Sequence, residues 1–233
     1  MKIWYLKFIL LILPLPLCLQ AQNPKIKYGI TLKPGLSFMH YTSEDFRAPA
    51  TNDLMKPAFS FAAGGFIDYG LNQRFALSAG VEYQLLRAKT DDINYFSNSY
   101  YDTVVNQFID KGTYKHNFHY ITIPVLLKIK PVGQPLEISA GIMPGIYLGN
   151  TDKNILESSN GESHSYINKG KYDEFRALQW NGVICLNYQA HTRLNIGVFA
   201  YIPFQGVLTD SGAGDFKLWN TGINFSIILD HEK

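Results

Sequence analysis

Apolar and polar residues alternate one by one over long stretches of this chain. In residues 177–189 the even positions include Leu178, Trp180 and Ile184, and the odd positions are mostly polar or small. A period of two is typical of a β-strand with one apolar face, whereas a helix would group its apolar residues three and four apart. These residues are therefore predicted to form a strand.

Seven further segments repeat this alternation. The eight segments are each roughly 11–14 residues long, which is enough for a tilted strand to cross a membrane. The predicted strands are 28–38, 59–71, 75–85, 119–130, 136–148, 177–189, 194–204 and 217–229.

The connections between these strands are alternately short and long, which is typical of an up-and-down barrel with turns at one rim and loops at the other. We therefore expect an all-β fold, an eight-stranded antiparallel up-and-down transmembrane β-barrel. The alternative is a soluble lipocalin-like barrel, which turns its apolar face inward. The short turns are 71–74, 131–135 and 190–193, and the long polar stretches are 39–57, 89–113, 149–175 and 205–215.

Two features favour a transmembrane barrel over a soluble lipocalin-like barrel. Glycine and other small residues crowd the polar faces and suit the tight interior of a small barrel. Aromatic residues on the apolar faces lie near the strand ends, as expected for rings in the two headgroup regions of a bilayer. The predicted belts are Tyr28, Tyr69, Phe75 and Tyr188 at the short-turn rim, and Phe38, Phe59, Trp180 and Trp219 at the loop rim.

Charges of both signs fall on inward-facing positions. Because a buried charge is costly unless it is paired, these residues are predicted to form a lumenal polar network of salt bridges and hydrogen bonds. A proton or ion path through them is the alternative, although eight strands leave an interior only wide enough for side chains. The residues are Lys33, Asp68, Glu82, Lys128, Lys130 and Glu137.

The N-terminus has the features of a secretory signal peptide, with a positively charged start, a short apolar core and Ala21 at the expected cleavage site. Two prolines in the core argue against a transmembrane anchor. The predicted organisation is a signal peptide over 1–21 and an outer-membrane β-barrel domain over 22–233. Once Cys18 is removed with the signal peptide, Cys185 is the only cysteine, so no intramolecular disulfide is expected.

Composition narrows the class of protein further. Aromatic residues make up 14% and charged residues 17% of the chain, which excludes a disordered chain. The 21 Lys+Arg against 19 Asp+Glu give a formal net charge of +2, and both excess lysines lie in the predicted signal peptide. The barrel domain is therefore formally neutral, and no nucleic-acid partner is expected.

Few residues in the sequence are candidates for metal binding or catalysis. His116 and His119 are three residues apart, so on a strand they face opposite sides and cannot share a metal ion. Glu157, Glu162 and His164 lie in a predicted loop, where solvated side chains are expected and weak divalent-cation or lipid-headgroup binding is the alternative. The sequence holds no Walker loop, dinucleotide fingerprint or nucleophile elbow. No cofactor, metal site or catalytic residue is predicted.

His119 is the one candidate for lipid chemistry, because it is predicted to point outward near the loop rim, where lipid could reach it. A lipid-modifying enzyme would need a serine and an acid beside it, and the sequence places neither there.

Aromatic residues also cluster in a long polar stretch, as NYFSNSYY at 94–101. Clustered exposed tyrosines are typical of a contact surface, and a β-hairpin that extends above the membrane is the alternative. The expected partners are outer-membrane lipid and an envelope or secretion protein that binds through the long loops.

Several stretches resemble a known family. They are QAQ at 20–22, YGITLKPG at 28–35 and YITIPVLLK at 120–128, together with the glycine-bearing strands. Over essentially the whole mature length the chain resembles the PorT-like outer-membrane β-barrel family of Bacteroidota. The resemblance implies location in the outer membrane of a Gram-negative bacterium. The family's named member is linked to protein secretion, and the resemblance supplies no catalytic residues.

The sequence as a whole predicts an outer-membrane β-barrel protein that is not an enzyme. Its expected role is structural or partner-binding, as an accessory to protein secretion or surface assembly. The alternatives are a lipid-modifying outer-membrane enzyme and a narrow pore.

Overall fold

The computed structural model describes residues 25–42, 55–94, 100–102, 107–209 and 215–229. The predicted signal peptide at 1–21 lies outside these ranges. Most of the described residues are in β-strands, and among them there is no helix long and apolar enough to span a membrane.

Twelve strands are formed by the described residues. They are β1 (Ile26–Thr42), β2 (Met55–Lys56), β3 (Ala58–Gly70), β4 (Phe75–Asn94), β5 (Tyr100–Asp102), β6 (Gln107–Thr122), β7 (Val125–Ile129), β8 (Leu136–Ser158), β9 (Ser163–Gly170), β10 (Leu178–His191), β11 (Leu194–Pro203) and β12 (Asp215–Ile228).

Eight strand positions close into a ring. Around the ring the order is β1, β3, β4, β6 with β7, β8, β10, β11 and β12, and every neighbouring pair is antiparallel. The seam between β12 and β1 runs from Gly29 opposite Ile228 to Thr42 opposite Asp215. A closed ring leaves no unpaired edge in the wall. The predicted eight-stranded antiparallel barrel is confirmed.

One position in the wall holds two strands, β6 and β7. They are separated at Pro124, which has no N–H to contribute to the ladder. The Gly80 N–H nevertheless donates to the Pro124 carbonyl at 3.0 Å, and the Ile123 N–H donates to the Pro144 carbonyl at 2.9 Å. The wall therefore stays closed across the interruption, within the segment 119–130 that was predicted as one strand.

The strands on one side of the barrel are longer than predicted. β4, β6 and β8 have 20, 16 and 23 residues, and β9 pairs with β8 from Asn150 opposite Gly170 to Glu157 opposite Ser163. Much of the two stretches expected to be loops, 89–113 and 149–175, is therefore an extended sheet of β4, β6, β8 and β9. The apolar alternation fades here because polar side chains occupy both faces, so hydrophobicity no longer marks the strands.

The apolar face of each strand points outward and the polar face points inward. Ile30 and Val81 are about half exposed, whereas their neighbours Thr31 and Glu82 are buried in the interior. A soluble lipocalin-like barrel would show the reverse arrangement.

The height of the outer apolar band can be read from β3. Phe59 and Tyr69 both point outward and are ten residues apart (69 − 59 = 10). At a rise of about 3.4 Å per residue this is about 34 Å along the strand, or about 26 Å along the barrel axis at a tilt of about 40°. The band matches the height of about 25 Å found in outer-membrane barrels.

The interior is layered. A polar layer lies nearest the short turns, and an apolar cluster of buried residues packs against it. An aromatic cluster fills the loop end. The apolar cluster is Leu126, Met143, Val183, Cys185, Phe199 and Tyr201. The aromatic cluster contains Leu86, Ala88, Phe118, Tyr120, Tyr147, Val207 and Leu218, with Met39, Phe175 and Phe216 packed against it.

Candidate functional site

The polar layer contains an ion pair between β1 and β4, two strands that are separated in the wall by β3. Lys33 Nζ donates to Glu82 Oε1 at 2.6 Å, and both side chains are at most 5% exposed. Tyr201 donates its hydroxyl to Glu82 Oε2 at 3.4 Å, and Lys33 Nζ lies 5.6 Å from the centre of the Tyr201 ring. The pair therefore spans the lumen and rests on the apolar cluster.

A second group of charges centres on Lys128. Its Nζ donates to Asp68 Oδ2 at 2.8 Å and lies 3.6 Å from Glu137 Oε1. Lys130 reaches the other oxygen of the same glutamate at 3.0 Å, but its own side chain is 37% exposed. Five of the six predicted inward charges are thus buried, and Lys130 lies at the mouth of the lumen. The six comprise three cations and three anions, so the layer is formally neutral.

A chain of neutral polar side chains continues this network around the barrel. Thr31 donates to Asn224 Oδ1 at 2.8 Å, Asn224 donates to Asn187 Oδ1 at 2.8 Å, and Asn187 donates to Glu137 Oε1 at 3.3 Å. Sequence reasoning singled out the charges and missed these residues. They occupy inward positions of the same alternation, so polar type combined with the period of two could have identified them.

The polar layer borders a cavity in the short-turn half of the barrel. Its empty volume is about 440 Å³, including space open to solvent, and Lys33, Glu82, Lys128, Glu137 and Cys185 are among its lining residues. The lining is mixed in charge and largely self-paired, which suits a hydrated interior more than a site for one charged ligand.

The loop end of the lumen is closed by the aromatic cluster. The Phe175 ring packs edge-on against Phe118 and Tyr147, with centroid distances of 5.6 and 5.4 Å. Phe175 and Val207 come from connections between strands. These connections pair across the mouth through a bridge between Phe175 and Leu208 and a 2.8 Å bond from the Arg176 N–H to the Val207 carbonyl. The interior is therefore filled by side chains where a channel would have to open.

The eight aromatic residues predicted as belts all lie on the outer surface. At the loop rim, Phe38 is directly opposite Trp219, and Phe59 is opposite Leu36 in the same wall. All eight are exposed, namely Tyr28, Tyr69, Phe75, Tyr188, Phe38, Phe59, Trp180 and Trp219.

The two candidate histidines on β6 bind different partners. His116 Nδ1 is 2.9 Å from Asp152 Oδ1, whereas His119 Nδ1 is 2.5 Å from the hydroxyl of Tyr83. In the described part of the chain, no group of three or more His, Cys, Asp or Glu side chains could hold a metal ion.

The predicted loop around Glu157, Glu162 and His164 is in fact the end of the β8–β9 hairpin. Glu157 belongs to β8 and lies 4.0 Å from Lys111 of β6, and His164 belongs to β9 and lies 3.7 Å from Glu162. The three side chains are divided between two strands and a turn because backbone pairing continues to the tip.

The predicted aromatic contact surface at 94–101 falls mainly on 95–99, which lie outside the described residues.

An antiparallel ring of eight strands with an outward apolar band and a layer of buried polar side chains in the lumen defines an outer-membrane β-barrel of Gram-negative type. A family model described as "Outer membrane protein beta-barrel domain" matches residues 20–208. The chain belongs to this family.

Solved structures with similar strand arrangements include other outer-membrane proteins. The attachment invasion locus protein Ail of Yersinia pestis is 10% identical with a TM-score of 0.39, and the match covers 87% of this chain and 99% of that chain. Neisserial surface protein A is 8% identical with a TM-score of 0.41, covering 85% and 96%. OprG of Pseudomonas aeruginosa is 10% identical with a TM-score of 0.33, covering 88% and 95%. No curated protein sequence matches the chain.

Proposed function

We propose that this barrel is a non-enzymatic scaffold that binds a protein partner at the cell surface. The observation that carries the proposal is the extended sheet of β4, β6, β8 and β9, which continues the wall well beyond the apolar band. β8 alone runs ten residues past Leu148, the last exposed apolar residue at that end of its lipid-facing side (158 − 148 = 10). A barrel that only had to anchor itself in lipid would not need this projection.

The outer side of the sheet offers a place for a partner. Among the described strands, β9 pairs only with β8, and Ile167 on β9 is 58% exposed. An extended segment of another protein can add to such an edge through main-chain hydrogen bonds, while an exposed apolar side chain gives a contact for specificity. Tyr172, which follows β9, is also exposed.

We also propose a more specific role, as an accessory protein in protein secretion or surface assembly. In this proposal the barrel is a PorT-like protein of the Bacteroidota. Its support is the resemblance of the stretches at 28–35 and 120–128 to that family. A second role as a lipid-modifying enzyme has less support, because His119, its one candidate residue, bonds to the hydroxyl of Tyr83 and not to a serine.

Site-specific photo-crosslinking tests the partner in cells. With a photoreactive residue in place of Ile167, we expect a discrete adduct whose mass exceeds that of the barrel by one protein partner. Val132, which is 62% exposed in a short turn at the opposite rim, is the matched control and should not give this adduct. Adducts at position 167 that contain only lipid, or the same pattern from both positions, would contradict the proposal.

The filled interior leads to a prediction about conductance. We expect the isolated barrel to give no unitary current steps in planar bilayers, because the aromatic cluster and the apolar cluster leave no continuous aqueous path. Steady discrete steps, recorded from a preparation with verified β-structure, would instead favour the narrow-pore alternative.

A further inference from the structure

The outward face of the extended sheet is positively charged along β6, β8 and β9. Lys111 lies 4.0 Å from the carboxylate of Glu157, whereas the other three lysines on this face form no ion pair within the described part of the chain. Because the barrel domain is formally neutral, these lysines are a local excess of positive charge. The charged residues on the outward face of these three strands are Lys111, Lys115, Lys153, Lys169 and Glu157.

Two of these lysines lie beside Ile167, the exposed apolar residue of β9. Lys153 of β8 is directly opposite Ile167, and Lys169 is two residues farther along β9 on the same face. Both lysine side chains are exposed. Directly opposite residues have their Cβ atoms about 5 Å apart, and residues two apart on one strand are about 7 Å apart. One apolar contact and two positive charges therefore share a small patch at the edge of the sheet.

The backbone of β9 adds hydrogen-bonding groups to this patch. Within the described chain, β9 pairs only with β8, from Glu157 opposite Ser163 to Asn150 opposite Gly170. Every second residue of an edge strand directs its N–H and C=O groups away from the sheet. Another extended polypeptide can pair with such a row, whereas a lipid phosphate or a small anion would leave most of it unpaired. The edge therefore favours a polypeptide as the anion that meets the lysines.

The patch also lies above the lipid headgroups. Lys153 is five residues past Leu148, the last exposed apolar residue at that end of β8 (153 − 148 = 5). Allowing for the bulge beside Leu148, this separation is about 10–13 Å along the membrane normal at the usual strand tilt. The headgroup layer is only about 5–7 Å thick on each side of the hydrocarbon core. The patch is therefore in the aqueous space, where a protein can reach it.

We propose that the protein partner binds through an extended acidic segment, which adds to β9 as a further strand. The inference rests on the proposed function of the sheet and specifies the chemistry of the partner. In an added strand, the residue opposite Ile167 and the residues two positions away from it lie on the same face. An apolar residue of the partner then contacts Ile167, and an aspartate or glutamate two positions away contacts Lys169. Lys153, about 10 Å from the added strand, lies within about one Debye length at 0.1 M salt and strengthens the attraction.

Cross-linking from position 167 tests the charge of the partner. In K153Q/K169Q we expect the yield of the protein adduct to fall about fivefold, the loss expected from one or two exposed charge contacts. K153R/K169R keeps both charges and should give the wild-type yield. In isolated outer membranes, added salt should lower the yield with the wild-type lysines. Mass spectrometry of the digested adduct should identify a partner segment with aspartate or glutamate within three positions of the cross-linked residue.

K27Q/K217Q is the matched control, because it removes two positive charges on β1 and β12, on the other side of the ring. Its adduct yield should equal that of the wild type. A yield that neither K153Q/K169Q nor salt changes, an equal fall in the control, or a cross-linked segment without acidic residues would overturn the acidic segment and leave the scaffold standing. Absence of any protein adduct with the wild-type lysines would remove both proposals. The salt series and the segment sequence need no lysine variant, so the test does not depend on variant folding.

Discussion

Replacing Lys33 with methionine is expected to destabilise the barrel by about 3–5 kcal/mol, because the substitution leaves the Glu82 carboxylate buried without its cation. Both side chains of the pair are almost fully buried, so the Glu82 carboxylate would be poorly hydrated after loss of the ammonium group. The measurement is the free energy of unfolding from urea titration in lipid vesicles, followed by the fluorescence of Trp180 and Trp219.

Two further variants distinguish loss of the ion pair from loss of packing. K33M/E82Q removes both charges and should recover more than half of the lost stability, because an amide is far cheaper to bury than a carboxylate. K130M removes a cation that is 37% exposed and leaves Lys128 beside Glu137, so it should cost less than about 1 kcal/mol. If K33M unfolds at the same urea concentration as the wild type, the lumenal pair does not stabilise the barrel.

Gly64→Ala is expected to cost about 3 kcal/mol, the upper part of the range for overpacking, because the added methyl group meets backbone that cannot move aside. A Cβ at this inward position would contact the Val81 carbonyl and lie 2.6 Å from the Cα and 2.9 Å from the Cγ of Glu82. The substitution therefore also displaces the carboxylate that binds Lys33. Urea titration in vesicles measures the loss.

The adjacent residue is a control on the same strand. Gly65 faces outward, and a Cβ there would meet only the Gly29 carbonyl oxygen, at an ordinary 3.6 Å. Gly65→Ala should therefore be neutral or raise stability by about 0.5–1 kcal/mol, since glycine weakens a strand interior. Equal losses from the two substitutions would show that the loss at position 64 does not arise from crowding in the lumen.

The barrel could be predicted because the alternation of apolar and polar residues that specifies each strand lies within that strand's own sequence. Within each strand, apolar residues alternate with polar residues according to whether they face lipid or the lumen. In β10, for example, Leu178 and Trp180 face lipid, and Gln179 and Asn181 face the lumen. The charged residues of the interior could be assigned to a face for the same reason, since a single strand determines which way each side chain points.

The pairing of those charges could not be predicted, because it depends on contacts across the lumen. Lys33 and Glu82 are 49 residues apart on strands that are not neighbours in the wall. The alignment of Lys89, Lys115 and Lys153 on β4, β6 and β8 could not be predicted for a related reason. It depends on the register of three strands, and within one strand a lysine near a rim is unremarkable. The extended hairpins were predicted as loops because polar residues on both faces remove the alternation on which the prediction depended.

The hydrogen bond between Thr31 and Asn224 joins residues 193 positions apart, across the seam where the first strand meets the last. This bond and the 160-residue link between Ser60 and Asn220 can form only once that seam closes. Until then the polar side chains of the lumen remain hydrated, and ring closure is the step that withdraws them from water. Assembly of this barrel should therefore have a late, slow closing step that is limited by loop-closure entropy and by dehydration of the interior.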